Sequence, residues 1–214
     1  MDTEEQNNNK KFSEDIESFK VSYLRECEKH LAEKYMKGKI LVLGCGAGRT
    51  LRPLKNMGFD LVGVDINEDM VAEAKKQNPD LKIYRGDASH LDFKDRTFDT
   101  VFFPFHGIDY VHPDIYVAVK EIERVLKPGG IFIMSSHNRF FIKKIKDLFK
   151  GNYSNYGGLV TYRTTYLDWF KLKKYFRKVK MIQRISILSA RNWKDLMYKL
   201  FPILNKSTYF ICFK

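Results

Sequence analysis

At 214 residues with 44% apolar side chains, the chain has the length and apolar content of one domain around one core. No apolar run approaches the ~18–20 residues that span a bilayer, the first residues are polar rather than leader-like, and Cys27, Cys45 and Cys212 lack CxxC or metal-ligand spacing, so a cytoplasmic protein without structural disulfides or bound metal is expected. The net charge of +12 is lopsided, because residues 139–214 hold 18 Lys and Arg against 3 Asp and Glu; such a half attracts an anionic acceptor, RNA or anionic lipid, or is simply a solvated face.

Residues 1–11 carry too few apolar side chains to pack and read as a disordered tail. Ser13 can cap a helix with Glu14 and Asp15 in its first turn, and Ile16, Phe19, Tyr23, Leu24, Cys27, Leu31 and Tyr35 recur at helical spacing. A leading helix over 12–37 is predicted. Residues 40–43 then form a short apolar run of the kind buried on both faces of a parallel sheet. Gly44, Cys45, Gly46, Ala47 and Gly48 follow at once, before a helix-like run over 49–57. Strand, glycine turn and helix together bring backbone N–H groups close to a ligand. A dinucleotide fingerprint needs its third glycine where Arg49 stands, which weakens a nicotinamide-cofactor reading.

A second apolar run over 60–64 ends in Asp65, and a carboxylate there can accept both ribose hydroxyls of a nucleoside. Asn67 caps a helix carrying Met70, Val71 and Ala74 that stops before Pro79. Runs over 81–85 and 97–103 come next, the first closed by Gly86-Asp87-Ala88. The loop over 103–110, with Phe103, Pro104, Phe105 and His106, falls at the sheet edge where open α/β folds bind ligands. His112-Pro113-Asp114 opens a helix with Val117, Ile122, Val125 and Leu126 on its buried side, ended by Pro128. A fifth run over 131–135 leads to His137 at the same sheet edge. Beyond it, Phe141, Ile145, Leu148 and Phe149 mark an amphipathic helix, 151–158 reads as a soft glycine- and tyrosine-rich loop, and Thr164 or Thr165 caps a helix to about 177. Strands over 179–188 and 208–213, with helical turns over 193–200 between them, complete the pattern.

As an ordered set, Gly-Cys-Gly-Ala-Gly over 44–48, Asp65, Gly86-Asp87-Ala88, Phe98-Asp99 and Lys127-Pro128-Gly129-Gly130 resemble the motifs of class I S-adenosylmethionine-dependent methyltransferases. The resemblance covers 38–138. It implies an α/β, Rossmann-like, seven-stranded and mostly parallel sheet, its last strand antiparallel, with helices on both faces. A single methyltransferase domain over 12–214 would then hold its cofactor half at 38–138 and a basic cap with the C-terminal strands at 139–214.

The implied cofactor is S-adenosyl-L-methionine, and the resemblance distributes it over named positions. The methionine carboxylate would face the amides of Gly44, Cys45, Gly46 and Gly48 and the side chain of Arg49. Asp65 would take the ribose, Ile66 and Met70 the adenine face, and Asp87 and Ala88 the adenine amino group. Phe103 and Pro104, with Phe105, would line the sulfonium, whose charge favours ring faces. Tyr23 would reach the cofactor from the leading helix. A hydroxyl acceptor usually needs a general base, and His106 and His137 at the strand mouths are the catalytic candidates. The expected acceptor is an oxygen or nitrogen atom of a small molecule such as a sugar or secondary metabolite. RNA methylation, and binding of S-adenosylmethionine without catalysis, are the alternatives. The helix over 140–150 with the loop over 151–165 is expected to cap the acceptor, its rival being a membrane-surface helix.

Overall fold

The computed structural model describes residues 21–111, 114–137, 153–156, 160–163, 169–183 and 207–214. Its strands are β1 (Lys39–Leu43), β2 (Asp60–Asp65), β3 (Lys82–Arg85), β4 (Phe98–Phe103), β5 (Leu126–His137), β6 (Tyr153–Tyr156), β7 (Val160–Arg163), β8 (Lys178–Gln183) and β9 (Ser207–Phe213). Seven of them form one sheet in the order β3-β2-β1-β4-β5-β9-β8. The pairs among β1 to β5 are parallel, and β9 lies antiparallel between β5 and β8. This is the Rossmann-like sheet that the motifs implied.

Helix α1 (Glu26–Tyr35) precedes β1, while α2 (Leu51–Asn56), α3 (Glu68–Gln77) and α4 (Ile115–Val125) make the crossovers. Successive strand residues face opposite sides, and the two cores divide accordingly. Leu41 and Leu43 pack with Ile115, Val119 and Ile122 of α4 on one face. Ile40 and Val42 pack on the other with Leu31 of α1, Leu51 and Leu54 of α2, and Val71 and Ala74 of α3. Strands β2 and β3 lie to one side of β1, and β4 and β5 to the other. The winding therefore reverses between β1 and β4, and a crevice opens above their C-terminal ends. No helix among the described residues is long and apolar enough to cross a membrane.

The β3–β4 connection is held by one side chain. Arg124 donates to both Glu121 carboxylate oxygens, to Asp95, and to the carbonyls of Leu91 and Phe93, at 2.7–2.9 Å. Glu121 in turn accepts the Leu91 N–H at 2.9 Å.

Several expectations need correction. Among the described residues the leading helix begins at Glu26; residues 21–25 have no regular secondary structure, with Arg25 extended at ψ 150, and 12–20 lie outside the described residues. Residues 153–156 belong to a strand rather than a loop, because β6 pairs antiparallel with β7. The reason was legible: two Tyr/Val/Thr-bearing runs separated by Gly157-Gly158 are a hairpin signal. Among the described residues, the helix expected to run to 177 ends at Leu172 as α5 (Trp169–Leu172), and the strand expected from 179 begins at Lys178 as β8 (Lys178–Gln183); residues 164–168 and 184–188 lie outside the described residues. Val117 is exposed, since Ile115, Ala118, Val119, Ile122 and Val125 make the buried stripe of α4. The tail over 1–11, the helix over 141–149 and the turns over 193–200 lie outside the described residues.

Candidate functional site

The crevice floor is built where β1 ends. Gly44 has φ +58, and a Cβ there would come within 2.7 Å of the Phe103 ring at the end of β4. The same ring blocks a Cβ at Gly107. Only glycine lets both backbones close over that ring. The turn is then stitched to the end of β2: the Cys45 N–H donates to the Val64 carbonyl at 3.1 Å and the Gly46 N–H to Asp65 Oδ2 at 2.7 Å. The Gly48 N–H closes back on the Cys45 carbonyl at 3.0 Å.

Asp65 is the centre of this arrangement. Its Oδ1 accepts the Asn67 N–H at 3.0 Å, and its carbonyl accepts the Gly86 N–H at 3.0 Å, so the ends of β1, β2 and β3 converge on one residue. Burial pushes the Asp65 carboxyl above the ordinary carboxylate range, opposed by the N–H groups of Asn67, Gly46 and Ile66. An ionised carboxylate offers about four acceptor directions, and each Asp65 oxygen has one filled by a backbone amide. As a hydrogen-bond acceptor oriented by these amides, the carboxylate fits the ribose hydroxyls of the implied cofactor.

Around Asp65 the sequence-predicted residues divide. Ile66 is 38% exposed and can present an apolar wall, whereas Met70 is 3% exposed and packed inward. Asn67 caps α3 through Met70 N–H at 3.0 Å. Asp87 accepts the Ser89 N–H at 2.7 Å in a tight exposed turn, and Ala88 is half-buried against the core. Burial and the Asp65 charge push the Cys45 thiol well above its usual range, so it packs as a neutral group. Phe103 and Pro104 are buried, and Phe103 belongs to the core rather than lying open to a sulfonium.

Phe105 and His106 both adopt left-handed backbone, at φ 59 and φ 62. For residues with a Cβ this costs about 1–3 kcal/mol each and persists only where the surroundings over-determine it. Here they do. The His106 N–H donates to Ser135 Oγ at 2.9 Å, the His106 carbonyl accepts the Asp109 N–H at 2.9 Å, and Ser136 Oγ donates to the buried Asp109 carboxylate at 2.6 Å. Asp109 thus braces the loop from inside the fold. His106, 7% exposed, is held at the mouth of β4. His137 is the last residue of β5, opposite Ser207 of β9, which puts its backbone at the same edge.

The leading segment crosses this edge. The Tyr23 N–H donates to the Arg49 carbonyl at 3.0 Å, and Arg49 Nη1 donates to the Tyr23 carbonyl at 3.1 Å. Tyr23 stays 45% exposed, with the Arg49 guanidinium 5.0 Å from its ring centroid. Arg49 also forms a two-pronged pair with Glu28 at 2.8 Å and 2.8 Å. Arg25 lies 4.6 Å from the Phe105 ring centroid, and Arg49 5.6 Å from it. Two guanidinium groups therefore approach the ring that was expected to face a sulfonium.

Glu28 and Arg25 were missed in the sequence. Glu28 had a readable signal: it stands four residues after Leu24 and three before Leu31, within the apolar stripe.

Comparison with known proteins agrees with this geometry. Residues 41–134 match the model of a methyltransferase domain. An uncharacterised protein of Methanocaldococcus jannaschii is 34% identical over 138 residues, covering 63% of this chain and 52% of that protein. The demethylmenaquinone methyltransferase of Beutenbergia cavernae is 37% identical over 97 residues, 45% of this chain and 40% of the relative. The chain thus spans about half, or less, of the curated relatives it matches. A solved S-adenosylmethionine-dependent methyltransferase of Thermotoga maritima shares the fold at TM-score 0.64 and 21% identity, covering 95% of this chain and 98% of that one. With the domain match lying on the strands that converge at Asp65, residues 41–134 are similar to a methyltransferase domain, and the chain shares the fold of solved S-adenosylmethionine-dependent methyltransferases.

Proposed function

We propose that this chain transfers the methyl group of S-adenosyl-L-methionine to an oxygen or nitrogen atom of a small-molecule acceptor, such as a sugar or secondary metabolite. The observation that carries the cofactor half is Asp65 at the end of β2, its carboxylate oriented by the Gly46 and Asn67 N–H groups beside a backbone that approaches as glycine. The bound cofactor supplies an electrophilic methyl on a sulfonium. The protein's part is to place the acceptor in line and exclude water. Asp65 holds the ribose, Ile66 walls the adenine, Asp87 and Ala88 lie toward its amino group, and Tyr23 covers the site from the leader.

At the acceptor side, His106 is the proposed base for a hydroxyl acceptor, with His137 as second candidate. The domain match ends at residue 134, so the acceptors named for relatives are not carried over. Free thiols at Cys27, Cys45 and Cys212 suit the reducing cytoplasm proposed as its compartment.

Isothermal titration with S-adenosylmethionine, on wild type and Asp65→Ala, tests the cofactor half. Two charge-assisted hydrogen bonds at ~1.5–3 kcal/mol each predict an affinity loss of about 100-fold or more. Equal affinity in folded Asp65→Ala refutes the ribose assignment. The +15 balance of residues 139–214 favours one second reading, an RNA acceptor. Its signature is binding that falls steeply with salt, and salt-insensitive or absent RNA binding removes it.

A further inference from the structure

The cofactor's methionyl carboxylate needs a positive partner, and most of the groups that the motif suggests for it, Arg49 among them, are already engaged. Within the glycine turn, the N–H groups of Cys45, Gly46 and Gly48 donate to Val64, Asp65 and Cys45. Arg49 is matched by Glu28, a carboxylate with 0% exposure, and spends a further N–H on the Tyr23 carbonyl. Its charge is neutralised and its fork is filled.

Arg25 is different. It is the residue before α1, half-buried, with its backbone N–H on Glu28 Oε2 at 2.9 Å. Its guanidinium lies 4.6 Å from the Phe105 ring centroid, and among the described residues no carboxylate pairs with it. The Tyr23–Arg49 bonds hold this segment against the residue that follows Gly48. A flat ring under a guanidinium fixes its plane while leaving its edge N–H groups free to fork onto a carboxylate.

Building on the proposed cofactor, we propose that Arg25, not Arg49, receives the methionyl carboxylate, and that Arg49 is a positioning residue that locks the leader through Glu28. The leader then contributes a charge to the site as well as a cover. Phe105, strained into left-handed backbone, serves as the plate on which Arg25 is laid out.

The test is titration with two probes, S-adenosylhomocysteine and 5′-methylthioadenosine. They share the adenosine and the sulfur, but the second has no amino-acid carboxylate. Arg25→Gln is expected to weaken S-adenosylhomocysteine about 10- to 100-fold, the scale of a charge-assisted hydrogen-bonded pair, and to leave 5′-methylthioadenosine within about twofold of wild type. Arg25→Lys, keeping charge but not the fork, should restore part of the loss. Thermal melts of each variant confirm folding. Unchanged discrimination in Arg25→Gln overturns the assignment. So does an equal loss for both probes, which would make Arg25 a docking contact only, and so does loss of discrimination in Arg49→Gln alone. If wild type binds neither probe, the cofactor reading itself falls and takes this inference with it.

Discussion

Glu28→Ala is the most informative single change for the link between leader and site. Glu28 has 0% side-chain exposure and the Arg49 side chain 14%, so the pair sits almost wholly out of water. Removing one partner of a buried pair costs about 3–5 kcal/mol, because the other charge is left uncompensated. Arg49 keeps a little contact with solvent, which places this case near 3 kcal/mol, and the Arg25 N–H loses its acceptor as well. At ~2–4 °C per kcal/mol for a chain of this size, the melting temperature should drop by about 6–12 °C. Circular dichroism melts of Glu28→Ala, Arg49→Met and the double Glu28→Met/Arg49→Met variant supply the assay. The double variant should be more stable than Glu28→Ala, since a hydrophobic pair of similar volume replaces a buried ion pair at little cost. A shift below about 2 °C for Glu28→Ala, or strictly additive single and double effects, would refute the coupling argued here.

Two further outcomes follow from the same kind of argument. Glu121 is held below the ordinary glutamate range by its bonds to Arg124 and the Leu91 N–H. Its ionised form therefore stabilises the fold above the unfolded-state pKa, and this is lost as pH falls through the lower folded value. Glu121→Gln should cost about 1–3 kcal/mol near pH 7, and urea melts in acid should show that difference shrinking. A pH-independent difference would show that packing, not charge, is responsible. Gly44→Ala puts a methyl group 2.7 Å from the Phe103 ring at φ +58; overpacking and backbone strain predict a loss of about 2–5 kcal/mol. A melting temperature equal to wild type would mean that the ring can move aside.

What was legible in the sequence was local. The run over 40–43 is of the kind that forms a buried strand, and it is β1 here, while Asp65 announced itself by standing at the end of the next one. Asn67 capped its helix because a short polar side chain before Met70 has one good use there. Three features were not local. The Glu28–Arg49 pair joins residues 21 positions apart, and only the docked leader brings them together. The left-handed backbone at Phe105 and His106 comes from what Ser135, Ser136 and Asp109 impose across the sheet, and no propensity of Phe or His hints at it. Phe103 looked like a cofactor-facing ring because it ends a strand, but Gly44 and Gly107 close over it. Arg25 was invisible for a related reason: its meaning depends on which neighbouring cations are already paired.

The place of β9 in the sheet sets a timetable for the nascent chain. Strands β1 to β4 pair only within the set β1 to β5, so that part of the sheet can zip up as soon as residue 137 has left the ribosome. The free edge of β5 must then wait for residues 207–213. At ~5–20 residues per second, the roughly 70 intervening residues take about 4–14 s to synthesise. Throughout that interval a half-built sheet exposes the row of unpaired amides from Ile131 to His137 to any passing strand. β8 emerges first and runs in the same direction as β5, so it could occupy that edge wrongly; β9, antiparallel to both, is the strand that parts them and settles the register.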